Sequence, residues 1–82
     1  MKFDNIKIEK VNREFMILDC CKAIGDLLWS NAQTIAQNRL SQDIYDGMDV
    51  ELTAEDQEWI KKTIAGRFNF ATCDAIAKAM EE

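Results

Sequence analysis

The sequence predicts a mainly α fold with a minor β component: one four-helix domain with a long central helix and a short two-stranded β-ribbon. Two observations support this prediction. The chain of 82 residues contains no proline and only three glycines, which favours helices joined by short loops. Apolar residues recur at steps of three and four along much of the chain, whereas residues 48–52 alternate between apolar and acidic as a strand does.

The N-terminal part of the chain predicts a strand followed by the long helix. Alternation predicts a strand over residues 6–11, and Asn12 is a typical N-cap for a helix over residues 13–29. One apolar stripe of this helix comprises Ile17, Cys20, Cys21, Ile24, Leu27 and Leu28. Four further apolar residues widen the stripe into a broad arc: Phe15, Met16, Leu18 and Trp29. Gly25 inside the helix predicts close approach of a second helix or, alternatively, a kink.

The middle of the chain predicts a shorter helix and a second strand. Residues 34–46 have Ala36, Leu40 and Ile44 as the expected buried line, and Gly47 ends the helix. Residues 48–52 predict a strand whose natural partner is the strand over residues 6–11, since an isolated strand leaves its backbone groups unpaired.

The C-terminal part carries the clearest start and stop signals. Thr53 is the expected N-cap of a helix over residues 54–65, and Gly66 is the expected left-handed residue after it. Asn69 is the expected cap of a last helix over residues 70–80. No long linker divides the chain, so residues 1–82 are predicted to form a single domain.

Charge and composition restrict the classes of partner. The formal net charge is −5, and residues 14–60 alone carry two basic and ten acidic side chains, a net −8. Such a field repels nucleic-acid phosphates, which makes nucleic-acid binding an unfavoured prediction. No apolar run is long enough to span a membrane, and the N-terminus lacks the apolar core of a signal peptide. With three cysteines, two of them adjacent, the sequence predicts reduced thiols and a cytoplasmic protein.

Most patterns that carry chemistry are missing or incomplete. The chain has no histidine, the usual general base and the commonest metal ligand. The acidic cluster around Gly47 lacks the ligands of a calcium loop, and the three cysteines cannot form a zinc clamp. Cys20, Cys21 and Cys73 are interpreted as core residues rather than as a redox switch. We therefore predict no catalytic residue, no cofactor and no metal site.

Aromatic and apolar side chains on the broad arc suggest an interface instead. Trp and Tyr concentrate at interface hot spots, and the alternative interpretation is that all the aromatics are half-buried residues at the edge of the core. The predicted interface residues are Phe15, Met16, Trp29, Tyr45 and Trp59. The expected partner is a protein, most simply a second copy of the chain in a homodimer.

Three runs of sequence carry a resemblance: residues 24–32, residues 40–45 and residues 50–53. Together they resemble small helical proteins encoded in phage and prophage gene clusters of Bacteroides-type gut bacteria. The resemblance covers roughly residues 15–80 and implies a phage-related, intracellular context. It implies no functional residue, because the shared runs consist of packing and capping signals.

The sequence therefore predicts a non-enzymatic protein-interaction or assembly module that self-associates. One alternative is an acidic regulator that binds a basic site on a host protein, suggested by the −8 segment. A helix-turn-helix DNA binder is a second alternative, and an enzyme is the least favoured.

Overall fold

The computed structural model describes residues 1–81, which form a β-hairpin and four helices in a mainly α arrangement. The radius of gyration of the Cα atoms is 12.1 Å, close to the value of about 12 Å expected for a compact chain of this length. In chain order the elements are β1 (Ile6–Glu9), β2 (Phe15–Leu18), α1 (Cys21–Asn31), α2 (Ile35–Tyr45), α3 (Ala54–Ile64) and α4 (Phe70–Glu81).

The hairpin corrects the prediction of one helix over residues 13–29. Residues 15–18 form strand β2, antiparallel to β1, and helix α1 begins only at Cys21. The two strands are joined by a tight turn in which the N–H of Arg13 donates to the carbonyl of Lys10 at 2.9 Å. Arg13 has a left-handed backbone (φ 67°). A residue in this conformation typically ends a three-residue hairpin loop. Asn12 therefore lies in a turn and does not cap a helix.

The predicted pairing between residues 6–11 and residues 48–52 is also wrong. The partner of β1 is β2, with Ile6 opposite Leu18 and Ile8 opposite Met16. Residues 48–52 form no strand, and the N–H of Val50 instead donates to the carbonyl of Met1 at 2.7 Å. Pairing of β1 with β2 is favoured over pairing with residues 48–52, because closing a short hairpin loop costs less chain entropy than closing a loop of about forty residues.

The caps of α3 and α4 follow the sequence prediction, whereas Thr34, predicted as part of the second helix, is the N-cap of α2. The Thr34 side chain accepts from the N–H of Gln37, and Thr53 forms a reciprocal capping box with Asp56. Gly66 has a φ of +76° after α3, as the left-handed C-terminal position requires. Asn69 Oδ1 accepts from the N–H of Thr72 at 2.9 Å and caps the start of α4.

The core lies between the helices and the inner face of β1. It consists of one cluster that includes Phe3, Ile6, Ile8, Ile24, Leu28, Ile44, Ile60, Ile64, Ile76 and Met80. Helices α1 and α2 cross at Gly25, where an added Cβ would lie 2.6 Å from Tyr45 Cβ and 2.7 Å from Tyr45 Cα. Of the two explanations for a glycine inside this helix, close approach of a second helix is confirmed. Helix α4 packs beside β1 and closes the core on that side.

Candidate interaction surface

The five predicted interface residues lie in three separate places. Phe15 and Met16 are on β2, where 55% and 41% of their surface is exposed. Trp29, near the end of α1, and Tyr45, at the end of α2, line the same cleft between these helices. Trp59 on α3 is only partly exposed and packs against the core. The structure therefore does not join these residues into one surface.

Strand β2 is apolar and exposed along its whole length. Its four residues, Phe-Met-Ile-Leu, are all exposed, whereas Ile6 and Ile8 of the paired strand are buried. Opposite residues of an antiparallel pair share a face, so Met16 and Leu18 lie on the same face as Ile8 and Ile6. Phe15 and Ile17 lie on the other face, where the Lys7 ammonium is 4.7 Å from the centre of the Phe15 ring.

The backbone of β2 also presents an open edge. The N–H of Lys10 donates to the carbonyl of Glu14 at 2.7 Å, which makes Lys10–Glu14 a hydrogen-bonded pair. Such pairs alternate along an antiparallel ladder, so Met16 and Leu18 direct their backbone groups toward β1. The N–H and C=O groups of Phe15 and Ile17 consequently point away from β1. Within residues 1–81 no other strand pairs with that edge.

Two exposed residues of this surface were missed by the sequence reasoning. The helix predicted over residues 13–29 includes Ile17 and Leu18 and has Ile17 on its main apolar stripe. In the structure Ile17 is 64% exposed and Leu18 is 40% exposed. A run of four consecutive apolar residues after a polar turn was the available signal, because such a run fits a strand as well as a helix.

A groove connects the hairpin to the start of α4. It has a volume of about 590 Å³, and its lining includes Lys7, Val11, Phe15, Phe70 and Lys78. Val11 at the hairpin turn is fully exposed, and Phe70 is 84% exposed. Apolar side chains of the hairpin and of the first turn of α4 thus line one groove, together with the charged residues Lys7, Glu9, Lys10, Asp74 and Lys78.

The cleft between α1 and α2 has a different chemistry. Its volume is about 530 Å³, and it combines two aromatic side chains with three carboxylates. The lining residues are Gly25, Asp26, Trp29, Ser41, Gln42, Asp43, Tyr45 and Asp46. Ser41 is buried, and its hydroxyl donates to the carbonyl of Gln37 at 2.7 Å. Carboxylates beside aromatic faces favour a cationic group over an anionic one.

The adjacent thiols of Cys20 and Cys21 are buried where helix α1 begins. Burial raises the pKa of Cys21 to about 11, and the neighbouring Asp19 carboxylate adds to this shift. The pKa of Cys20 is raised by the same two causes. A thiol that keeps its proton is a poor nucleophile, so both cysteines act as core residues here.

A measurable pH dependence follows from Cys21. In the unfolded chain its thiol ionises near the ordinary value of 9.0, whereas the folded chain retains the proton up to about 11. Between these two pH values the folded chain binds more protons than the unfolded chain. The Cys21 contribution to the free energy of unfolding is therefore fully present below pH 9 and is lost as the pH rises from 9 through 11. We expect urea titrations between pH 8 and 11 to show this decline, and Cys21→Ala to make it shallower. Equal slopes in the two proteins would contradict the assignment.

Within residues 1–81, no group of three or more potential ligands is arranged to hold a metal ion. In the same part of the chain, no helix has both the length and the apolar character needed to cross a membrane. Comparison with protein-family models, with curated proteins and with solved structures found no match for this chain.

Proposed function

We propose that this chain is a non-enzymatic protein-interaction module that self-associates through the hairpin. The observation that carries the proposal is β2, on which four consecutive apolar residues are all exposed. The proposed surface is therefore the hairpin edge, in place of the broad helical arc that the sequence suggested. A cytoplasmic location and a phage-related context stay predictions.

An exposed apolar edge strand is physically unfavourable in an isolated protein. Unpaired N–H and C=O groups attract another strand, and soluble proteins usually protect such an edge with charge, proline or a bulge. Within β2 itself no residue is charged, and all four are good strand formers or long apolar side chains. Covering this surface gains roughly 25 cal/mol for every Å² of apolar area removed from water. A partner that covers β2 supplies both the missing hydrogen bonds and the burial.

Light scattering after gel filtration tests the proposal directly. At about 50 µM, a typical working concentration, we expect the wild-type chain to have at least the mass of a dimer. Ile17→Lys is expected to give a monomer, because a lysine on an edge strand is one of the features by which soluble proteins prevent pairing with another strand. Ile35→Lys is the matched control: Ile35 is 75% exposed on α2, away from the hairpin, and its replacement should leave the mass unchanged. A monomeric wild type, or a dimeric Ile17→Lys variant that keeps its helical circular dichroism, would refute the proposal.

The cleft between α1 and α2 favours a second candidate, an acidic regulator of a basic protein. Asp26, Asp43 and Asp46 line the same cleft as the half-exposed rings of Trp29 and Tyr45. A guanidinium or ammonium group placed in this cleft would meet both carboxylates and aromatic faces. This candidate uses a different surface from the hairpin, so the two functions can be tested separately.

Titration with an arginine-rich peptide tests this second candidate. We expect quenching of Trp29 fluorescence at low salt and a marked weakening of binding as the salt concentration rises. Asp43→Asn should weaken binding, whereas Glu55→Gln on α3, outside the cleft, should not. Binding that is unaffected by Asp43→Asn would place the peptide elsewhere and reject the cleft.

A further inference from the structure

We infer that two copies of the chain join β2 to β2 in an antiparallel manner, with a two-fold axis at Met16, to form a four-stranded sheet in the order β1-β2-β2-β1. This inference rests on the proposed self-association and adds its geometry. It follows from the backbone directions, the possible registers and the charges at the ends of β2.

The backbone directions restrict the possible registers. Only Phe15 and Ile17 direct their N–H and C=O groups to the open edge, so hydrogen-bonded pairs between two copies must be formed by these residues. Three antiparallel registers meet this condition. They place Phe15 opposite Phe15, Phe15 opposite Ile17, or Ile17 opposite Ile17.

The register that pairs Phe15 with Ile17 makes the most hydrogen bonds within the strand. In this register Phe15 of each copy lies opposite Ile17 of the other copy, which gives two hydrogen-bonded pairs. The N–H and C=O groups of both residues are then paired in both copies. A two-fold axis at Phe15 would place Arg13 opposite Ile17 of the second copy, but Arg13 has the left-handed backbone of the turn. A two-fold axis at Ile17 would place Asp19 opposite Phe15 of the second copy. Asp19, however, lies beyond the end of β2, and its side chain accepts a hydrogen bond from the N–H of Cys21.

The side chains are self-complementary in the same register. Met16 meets Met16 of the second copy, and Phe15 lies beside Ile17 of the second copy, so apolar groups cover apolar groups on both faces. Arg13 precedes one end of β2 and Asp19 follows the other end. Antiparallel pairing therefore places each Arg13 near Asp19 of the second copy, whereas parallel pairing would bring like charges together.

Disulfide trapping tests this geometry. Met16 of the two copies would form a non-hydrogen-bonded pair with Cα atoms about 4.5 Å apart, within the range of a disulfide. Leu18 of the two copies would be offset by four residues, or roughly 13 Å along the strand, which is too far. All variants carry Cys73→Ser, because Cys73 is the cysteine that is not buried. We expect oxidised Met16→Cys to run as a covalent dimer on non-reducing gels and Leu18→Cys to remain a monomer.

A second pair of residues tests the same register independently of the disulfide at position 16. In the inferred register Glu14 lies opposite Leu18 of the second copy, so mixing Glu14→Cys with Leu18→Cys chains should also give a covalent dimer. If light scattering shows a dimer but neither experiment traps it, the β2 register is overturned while the proposed self-association stands. If the untrapped wild type is a monomer, the proposed self-association itself fails, and this geometry fails with it.

Discussion

Replacing Phe3 by alanine is expected to lower the free energy of unfolding by about 3–5 kcal/mol, the range for deleting a buried aromatic ring. Phe3 belongs to no helix or strand, yet only 1% of its surface is exposed. Its carbonyl accepts from the N–H of Cys20 at 2.9 Å, which ties the N-terminal segment to the start of α1. Alanine keeps this backbone bond and leaves a cavity in the core.

Urea denaturation followed by circular dichroism measures this effect. A domain of this size has a total stability of roughly 4–12 kcal/mol, so the expected loss is a large fraction of the total and is readily measured. Phe70→Ala is the matched control, since the ring of Phe70 is 84% exposed and its removal should change stability by less than about 0.5 kcal/mol. Similar losses for the two variants would contradict the position of Phe3 in the core.

Replacing Gly25 by leucine is expected to destabilise the protein by about 3 kcal/mol, at the upper end of the cost of overpacking. The added Cβ alone would lie 2.7 Å from the Cα and 2.9 Å from the N of Tyr45. These atoms belong to the backbone of α2, so no side-chain rotation can relieve the overlap. The two helices would have to separate, which would loosen the packing of Ile24 and Ile44 in the core.

Ala23→Leu adds the same side chain to an exposed position of the same helix and is the matched control. We expect its unfolding midpoint in urea to be close to that of the wild type, since surface changes rarely exceed about 0.5 kcal/mol. The Gly25→Leu variant should also lose the cleft beside Tyr45, because α1 and α2 form its walls. A Gly25→Leu protein as stable as the wild type would show that the helices do not approach so closely.

The parts of the fold that were predicted correctly are those determined by neighbouring residues. Thr53 and Asp56 cap α3 through side chains three positions apart, and Gly66 supplies the left-handed backbone that ends the segment. Gly25 inside a predicted helix indicated either a close neighbouring helix or a kink, and it did not identify the neighbour as Tyr45. For Thr53 and Gly66 a short stretch of sequence contains all the groups that interact, whereas Gly25 contacts Tyr45 on another helix.

The hairpin could not be predicted in this way. Residues 15–18 fit a helix and a strand equally well, and the outcome depends on β1, which lies on the other side of a turn. The same choice determines the candidate surface. Phe15 and Met16, which the sequence predicts as interface residues, are exposed, and Ile17, which it places on the main apolar stripe of a helix, is exposed as well because the segment is a strand. Alternate side chains of a strand lie on opposite faces, so Ile17 lies on the face of the hairpin opposite to Ile6 and Ile8.

The packing of β1 against α4 has a consequence for how the chain acquires its structure during synthesis. The hairpin leaves the ribosome roughly sixty residues before α4 does, although Ile6 and Ile8 share a core with Ile76 and Met80. Until α4 has been translated, the apolar face of this ribbon, formed by Ile6, Ile8, Met16 and Leu18, lacks the cover of that helix, and a two-stranded ribbon is marginal by itself. The nascent hairpin is therefore the segment for which a chaperone, or a neighbouring nascent copy on the same messenger RNA, has the greatest opportunity to bind.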